Sequence, residues 1–210
     1  MLKDAVVVAG SFPLLSGVTL EINAASLTVL TGGNGAGKTS LLRLLAGLVA
    51  LRSGSGHVLD VDLVLGDRRQ LRRRVGWLGH EGSFYDELTV NDNLRFAANA
   101  LSRPVSEIGP ALERVGLSSR ADVVTKSLSA GQRRRLALAW LLVRRPSLWI
   151  LDEPYASLDA AGRDFLDALL GDVVLSGTAV VLSAHDALRE PTLTPRTLRM
   201  AGGRIMDESR

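Results

Sequence analysis

The apolar run at residues 27–31 breaks into Gly32-Gly33-Asn34-Gly35-Ala36-Gly37-Lys38-Thr39-Ser40, and apolar residues then resume with a different period at Leu41, Leu42, Leu44, Leu45 and Leu48. The first run is short enough to be a strand, while the second spacing lays a wide apolar stripe along a helix packed on a sheet. The loop between them matches the G-x4-G-K-[ST] phosphate-binding pattern, the P-loop. A strand, a glycine loop and a helix in that order imply parallel strands with helical crossovers, so the expected fold class is α/β. Glycines there let consecutive backbone N–H groups turn inward at a helix N-terminus, whose partial positive charge favours anions. Lys38 adds a full charge for the β- and γ-phosphates, and the Thr39 hydroxyl is a candidate ligand for Mg²⁺.

The rest of the chain reads as the context such a loop needs. Residues 6–8 and 18–22 have strand character, residues 52–56 are a turn-rich link to a strand near Val58, and residues 75–78 give another strand. From about Gly82 to Arg145 strand character is absent. Thr89-Val90-Asn91-Asp92 resembles a helix-opening capping box, and Pro104 suits the first turn of a helix after Ser102. Strands return at residues 148–151 and 179–183, with Asp159 capping a helix from Ala160 to about Leu175. Gly202-Gly203 suggests a closing hairpin. The expectation is one domain over residues 1–210, with a sheet core at 1–81 and 146–210 and a helical lobe inserted at 82–145.

Leu148-Trp149-Ile150-Leu151-Asp152-Glu153-Pro154 is an apolar strand ending abruptly in two carboxylates, as a central strand does where it opens on a ligand site. Asp152 is expected to hold Mg²⁺, and Glu153 to polarise the water that attacks a γ-phosphate. His185 follows the strand at 179–183, which places it at the same sheet edge, in reach of a γ-phosphate oxygen. Leu128-Ser129-Ala130-Gly131-Gln132 opens another helix and offers a second anion site. One triphosphate is already cradled by residues 32–39, so the user of Ser129, Ala130, Gly131 and Gln132 is expected to be an ATP held by a second subunit, in a head-to-tail dimer. A plain serine cap accounts for Ser129 but not for the Gly-Gln that follows it.

With these residues in order, the sequence resembles the ATP-binding-cassette ATPases over nearly its whole length. Residues 32–39 stand as Walker A, 128–132 as the signature, 148–152 as Walker B, Glu153 as the catalytic glutamate, Ser157-Leu158-Asp159 as the D-loop and His185 as the switch histidine. The resemblance implies a P-loop NTPase fold with a mostly parallel sheet core, an N-terminal antiparallel β portion and an inserted helical lobe. It also implies ATP and Mg²⁺ as cofactors, a dimer of identical or paired ATPase subunits that closes on ATP, and integral membrane permease subunits as partners, with Asp159 reporting across the dimer seam. More narrowly, Val75-Gly76-Trp77-Leu78-Gly79-His80-Glu81 with Glu87-Leu88-Thr89-Val90-Asn91-Asp92-Asn93-Leu94 resembles the ATP-binding subunit of the haem exporter of cytochrome c maturation. Two positions depart from the family. Glu81 stands where a glutamine normally touches Mg²⁺, and the adenine-stacking aromatic falls on Ala9 unless the loop shifts to Phe12.

A pI of 9.8 suggests nucleic acid, yet the net charge is only +3. The runs Arg72-Arg73-Arg74, Arg133-Arg134-Arg135 and Arg144-Arg145 read as solvated helix faces or internal ion pairs, so no nucleic-acid partner is expected. The alternative, a soluble cassette ATPase acting on nucleic acid or ribosomes through those arginines, lacks a coiled-coil insertion, zinc module or basic tail; the motor of a different small-molecule, lipid or drug exporter also remains open. Apolar runs fall short of the roughly 18 residues a bilayer span needs, cysteine is absent, and the start Met1-Leu2-Lys3-Asp4 is not a signal segment. The expected location is cytoplasmic, peripheral on the inner face of the cell membrane, where a groove around residues 81–88 receives a permease helix and Phe84 or Tyr85 supplies a contact.

Overall fold

The computed structural model describes the chain except residues 80–83, 157, 185–193 and 210 and the side chains of 207–209. It divides into two compact units, Met1–Trp77 with Ser147–Arg210, and Leu78–Pro146.

In the first unit, strands β1 (Leu2–Ala9), β2 (Phe12–Leu20), β4 (Ser53–Val58) and β5 (Val61–Asp62) form an antiparallel sheet in the order β2-β1-β4-β5. A six-stranded sheet combines β3 (Leu27–Thr31), β6 (Val75–Leu78), β7 (Leu148–Leu151), β8 (Ala179–Ser183), β9 (Arg196–Ala201) and β10 (Arg204–Ser209) in the order β10-β9-β3-β8-β7-β6. The β3–β8, β3–β9 and β7–β8 pairs are parallel, and the hairpin β9–β10 is antiparallel. Every residue of β7 and β8 is buried, the continuous apolar pattern that parallel strands covered on both faces require. The α/β class with a mostly parallel sheet and an N-terminal antiparallel portion is therefore the observed one.

Helix α1 (Lys38–Leu45) buries Leu41, Leu42, Leu44 and Leu45. It stops earlier than its leucine spacing suggests: Gly47 adopts φ +67°, its N–H bonds the Leu44 carbonyl, and the Leu48 N–H bonds that of Arg43. This closure needs a left-handed residue, which glycine supplies without strain, and it leaves Leu48 45% exposed rather than in the core stripe. Residues 53–56 are strand rather than turn, because β4 pairs with β1. Helix α2 (Arg68–Arg74), unforeseen in the sequence, opens on Asp67, whose side chain accepts from the Arg69 N–H, and buries only Leu71. Arg72 and Arg74 donate to the carbonyls of Gly47 (3.2 Å) and Leu59 (2.6 Å).

The second unit carries α3 (Val90–Ala100), α4 (Ile108–Arg114) and α5 (Ala130–Arg144). Thr89 caps α3 through the Asp92 N–H at 3.0 Å, while Pro104 precedes a 3-10 turn, Val105–Glu107, rather than an α-helix. Asn93, fully buried, ties the loop before α3: its amide donates to the Tyr85 and Thr89 carbonyls and to the Thr125 hydroxyl, and its carbonyl accepts from the Tyr85 N–H. Arg133 pairs with Asp86, Arg145 with Glu107, and Arg134 and Arg135 donate to the Gly79 and Val115 carbonyls. These arginines serve their own unit. The chain returns to the first unit at Ser147, ahead of β7, and helix α6 (Ala160–Leu175) belongs to that unit.

Candidate active site

Parallel pairing of β3, β8 and β7 brings their C-terminal ends to one sheet edge, with Leu30 opposite Ser183 and Leu151 opposite Leu182. The glycine loop emerges from β3 at that edge. Gly32 has φ +138°, and a Cβ there would stand 2.3 Å from the Met200 carbonyl oxygen, so no other residue fits. Gly33 and Gly35 have open space where a side chain would begin. The fold does not use that room, which leaves it for a ligand approaching the backbone. Gly37 occupies the N-cap of α1 without any side-chain cap, so the first helical N–H groups have no side-chain acceptor from that position, the arrangement that receives an anion. Ala36 is held from below: its carbonyl accepts from the Gly203 N–H at 3.0 Å.

Lys38 is 6% exposed, and its ammonium donates back to the carbonyls of Gly32 at 2.7 Å and Gly33 at 3.2 Å. The charge is thereby parked inside the loop. Thr39 and Ser40 are half-buried, and Asn34 is exposed.

Across the edge, Asp152 is 9% exposed and Glu153 half-buried. Glu153 has φ +49°, a left-handed conformation that costs a non-glycine residue of order 1–3 kcal/mol and persists only where its surroundings enforce it. Ser183 enforces it: its hydroxyl accepts from the Glu153 N–H at 2.8 Å and donates to Asp152 Oδ1 at 2.6 Å. Two residues on, Tyr155 donates its hydroxyl to Asp167 of α6. Burial, and secondarily that carboxylate, push the Tyr155 phenol above its ordinary value. Asp159 caps α6, accepting from the Gly162 N–H at 2.8 Å.

In the helical unit, Ser129 accepts from the Gln132 N–H at 3.2 Å, and the Gln132 side chain accepts from the Ser129 N–H at 3.0 Å. This reciprocal box corrects one sequence argument, because capping explains the glutamine as well as the serine. It does not explain Gly131, beside which a side chain would meet open space. Glu81 and His185 lie outside the described residues. At the β1–β2 hairpin Ala9 pairs with Phe12, so the two positions considered for adenine stacking are cross-strand neighbours, and the Phe12 ring is 76% exposed. Phe84 packs edge-on against Trp140 (5.6 Å), whereas Tyr85 meets Phe96 (5.2 Å) with both rings about half exposed.

The family model described as "ABC transporter" matches residues 15–156. The chain belongs to the ABC transporter family. It is an ATP-binding cassette ATPase, and the matched span includes the glycine loop, the Ser129 to Gln132 helix start and the Asp152-Glu153 pair. The cassette is 38% identical over 196 residues to the cytochrome c biogenesis ATP-binding export protein CcmA of Dechloromonas aromatica, covering 92% of this chain and 95% of that one. It is 41% identical over 192 residues to CcmA of Pseudomonas syringae pv. tomato, covering 90% and 89%. Among solved structures, it is similar to an ATP-binding subunit of an ABC transporter (TM-score 0.90, 24% identity, 99% and 88% covered). A dimeric cassette in a post-hydrolysis state with ADP and Pi is also similar (TM-score 0.90, 22% identity, 100% and 97% covered).

Sequence reasoning missed Ser183 and the Tyr155–Asp167 bond. The first had one signal, a lone hydroxyl ending an otherwise apolar strand; the neighbour it bonds follows only from the observed strand order.

Proposed function

We propose that this cassette is the ATP-hydrolysing motor of a haem exporter serving cytochrome c biogenesis, peripheral on the inner face of the membrane and coupled to integral permease subunits. The observation that carries the narrower assignment is the 38–42% identity to proteins named CcmA over most of the chain. No helix among the described residues is long and apolar enough to cross a membrane, consistent with a motor that works on a separate permease. The half-exposed Tyr85–Phe96 pair is the candidate contact for a permease helix.

In this reading residues 32–40 grip the triphosphate of ATP, with Lys38 exchanging its two loop carbonyls for phosphate oxygens. The Phe12 ring lies two residues along β2 from Leu14, whose carbonyl oxygen would stand 3.0 Å from a Cβ on Gly37, and serves as the adenine platform. Thr39 and Asp152 are the ligands for Mg²⁺ among the described residues, and Glu81, which lies outside them, is the third candidate. Both described groups are hard oxygen donors, and among the described residues no group of three or more His, Cys, Asp or Glu forms a cage of its own. Hard oxygen donors suit a cation shared between a few protein oxygens and the phosphates themselves. Held there, Mg²⁺ would supply positive charge against the negative phosphates. Glu153 orients and deprotonates the attacking water, a contribution of about 10²–10⁴ in rate. His185 hydrogen-bonds the γ-phosphate, Ser129 and the α5 N–H groups of a second protomer close on the same phosphate with Asp159 at the seam, and hydrolysis reopens the dimer.

Glu153→Gln tests this. The purified variant binds ATP, hydrolyses it at least about 10²-fold more slowly and elutes as a dimer with ATP on a sizing column. In a host lacking its own haem-export ATPase, wild type but not E153Q restores haem-stained c-type cytochromes. Undiminished hydrolysis by E153Q refutes the assignment of the base; wild-type hydrolysis without restored cytochromes assigns the motor to another exporter.

A further inference from the structure

Ser183 ends β8, a strand otherwise made of Ala179, Val180, Val181 and Leu182, and is 0% exposed. A hydroxyl so placed has lost its water and must recover hydrogen bonds from the protein. It does so entirely at the reaction edge. The β7–β8 ladder has its last pair at Leu151 and Leu182. One step further, where a parallel register sets Asp152 opposite residue 183, the Ser183 side chain makes two directed bonds. Its proton goes to Asp152 Oδ1 at 2.6 Å, and a lone pair takes the Glu153 N–H at 2.8 Å.

We propose that Ser183 is a positioning residue for hydrolysis, a single buried hydroxyl that fixes both the rotamer of Asp152 and the left-handed backbone of Glu153. The inference rests on the reading of Asp152 as a Mg²⁺ ligand and Glu153 as the base, and it deepens that reading. By engaging Oδ1, Ser183 leaves Oδ2 as the Asp152 oxygen for the cation side. By holding the Glu153 amide, it keeps φ at +49°, so the direction in which the Glu153 side chain leaves the backbone is set by β8 rather than by its own strand. Ser183 is thus bonded to both acids at once. Ser183 is fully buried and spends its hydroxyl on the two acids, so its effect falls on turnover and on metal use, not on the grip of the glycine loop.

The test uses the full-length purified chain with Ser183→Ala, Ser183→Cys and Ser183→Thr. Cys keeps the volume but is a poor donor, and Thr keeps the hydroxyl. Three quantities are read: kcat and KM for ATP; the Kd of a fluorescent ATP analogue in EDTA; and the Mg²⁺ concentration giving half the thermal stabilisation by a non-hydrolysable ATP analogue. Expected for Ala and Cys is a fall of about 10- to 100-fold in kcat and a rise of similar order in the Mg²⁺ half-point, the range seen when a partner of a metal ligand is removed. Nucleotide Kd without metal stays within about twofold, and Thr recovers most of the lost rate. Wild-type kcat and an unchanged Mg²⁺ half-point in S183A overturn the proposal. If S183A does not fold, Cys and Thr decide: equal kcat in these two at matched melting temperature assigns the effect to packing and overturns it equally. Glu153→Gln runs alongside, because full hydrolysis by E153Q removes the underlying reading, whereas an inactive E153Q beside a fully active S183A removes only the role of Ser183.

Discussion

Ser129→Arg separates the cost of breaking a helix cap from the cost of breaking a shared site. The substitution deletes one of the two bonds of the capping box, the 3.2 Å acceptance from the Gln132 N–H, at an exposed helix start where water replaces it. An N-cap loss of this kind is about 1 kcal/mol, which for a domain this size moves the melting temperature by about 2–4 °C and leaves a protein of ordinary stability folded. If Ser129 and Gly131 close on the γ-phosphate of a neighbouring protomer, turnover instead falls by about 10²–10³, the usual loss when a donor to developing charge is removed. Lys38→Ala breaks the opposite half, since it deletes the phosphate-gripping ammonium. Each variant alone is inactive. Mixed one to one, random two-fold pairing makes half the dimers mixed, and each mixed dimer joins an intact glycine loop to an intact Ser129 in one of its two sites. Recovered ATPase is then about a quarter of wild type, measured by phosphate release with calorimetry to confirm folding. Heterodimers captured through differently tagged protomers, yet inactive at every mixing ratio, would refute the shared site.

Asn93→Ala strands the Tyr85 N–H and the buried Thr125 hydroxyl together with two carbonyls. At about 1–3 kcal/mol for each uncompensated buried group, with partial rehydration at half-exposed Tyr85, the expected loss is about 3 kcal/mol in urea unfolding; a loss under about 1 kcal/mol contradicts the geometry. Tyr155 predicts an alkaline limb of stability. Its folded pKa is raised above the ordinary phenol value of about 10, so the folded state keeps a proton that the unfolded chain releases. The stabilisation is whole below about pH 10 and declines above it. Tyr155→Phe flattens that part of the stability profile, and an unchanged slope between pH 10 and 11 counts against the buried Tyr155–Asp167 pair.

How much of this was legible in the sequence depended on whether tertiary contacts agreed with local pattern. Strands β3, β6, β7 and β8 and helix α6 fall on the residues their apolar runs and flanking signals mark, because buried parallel strands and a capped amphipathic helix carry their reasons locally. Helix α2 does not, since one buried leucine among five arginines leaves no periodic stripe to read. Ser53 to Gly56 carry turn chemistry and become strand only because β1 offers them a partner. In the site, the glycine loop announced itself, as did the two acids. The bond from Ser183 to Asp152 joins positions 31 apart and needs the strand order β8-β7, which spacing alone does not supply. Gln132 shows the opposite case: its side chain is employed by its own helix start, a capping role the local sequence argument does not grant it.

The side chains expected to meet nucleotide already have partners within the protein. Lys38 is bonded to its own loop, Ser129 and Gln132 to each other, and Asp152 to Ser183, and no buried side-chain polar atom among the described residues lacks a partner. Nucleotide therefore exchanges hydrogen bonds at these groups instead of filling vacancies, so the net gain at each is the small difference between similar bonds. The exceptions are the backbone N–H groups at the start of α1, which no N-cap side chain covers, and the bare space beside Gly33, Gly35 and Gly131. Affinity for the triphosphate should then come chiefly from the loop amides, while Lys38, Ser129 and Asp152 are free to be worth most where phosphate charge shifts during reaction. Interactions that strengthen only in the transition state raise kcat without tightening the resting complex, which is the division of labour a motor needs if it is to release its product and turn again.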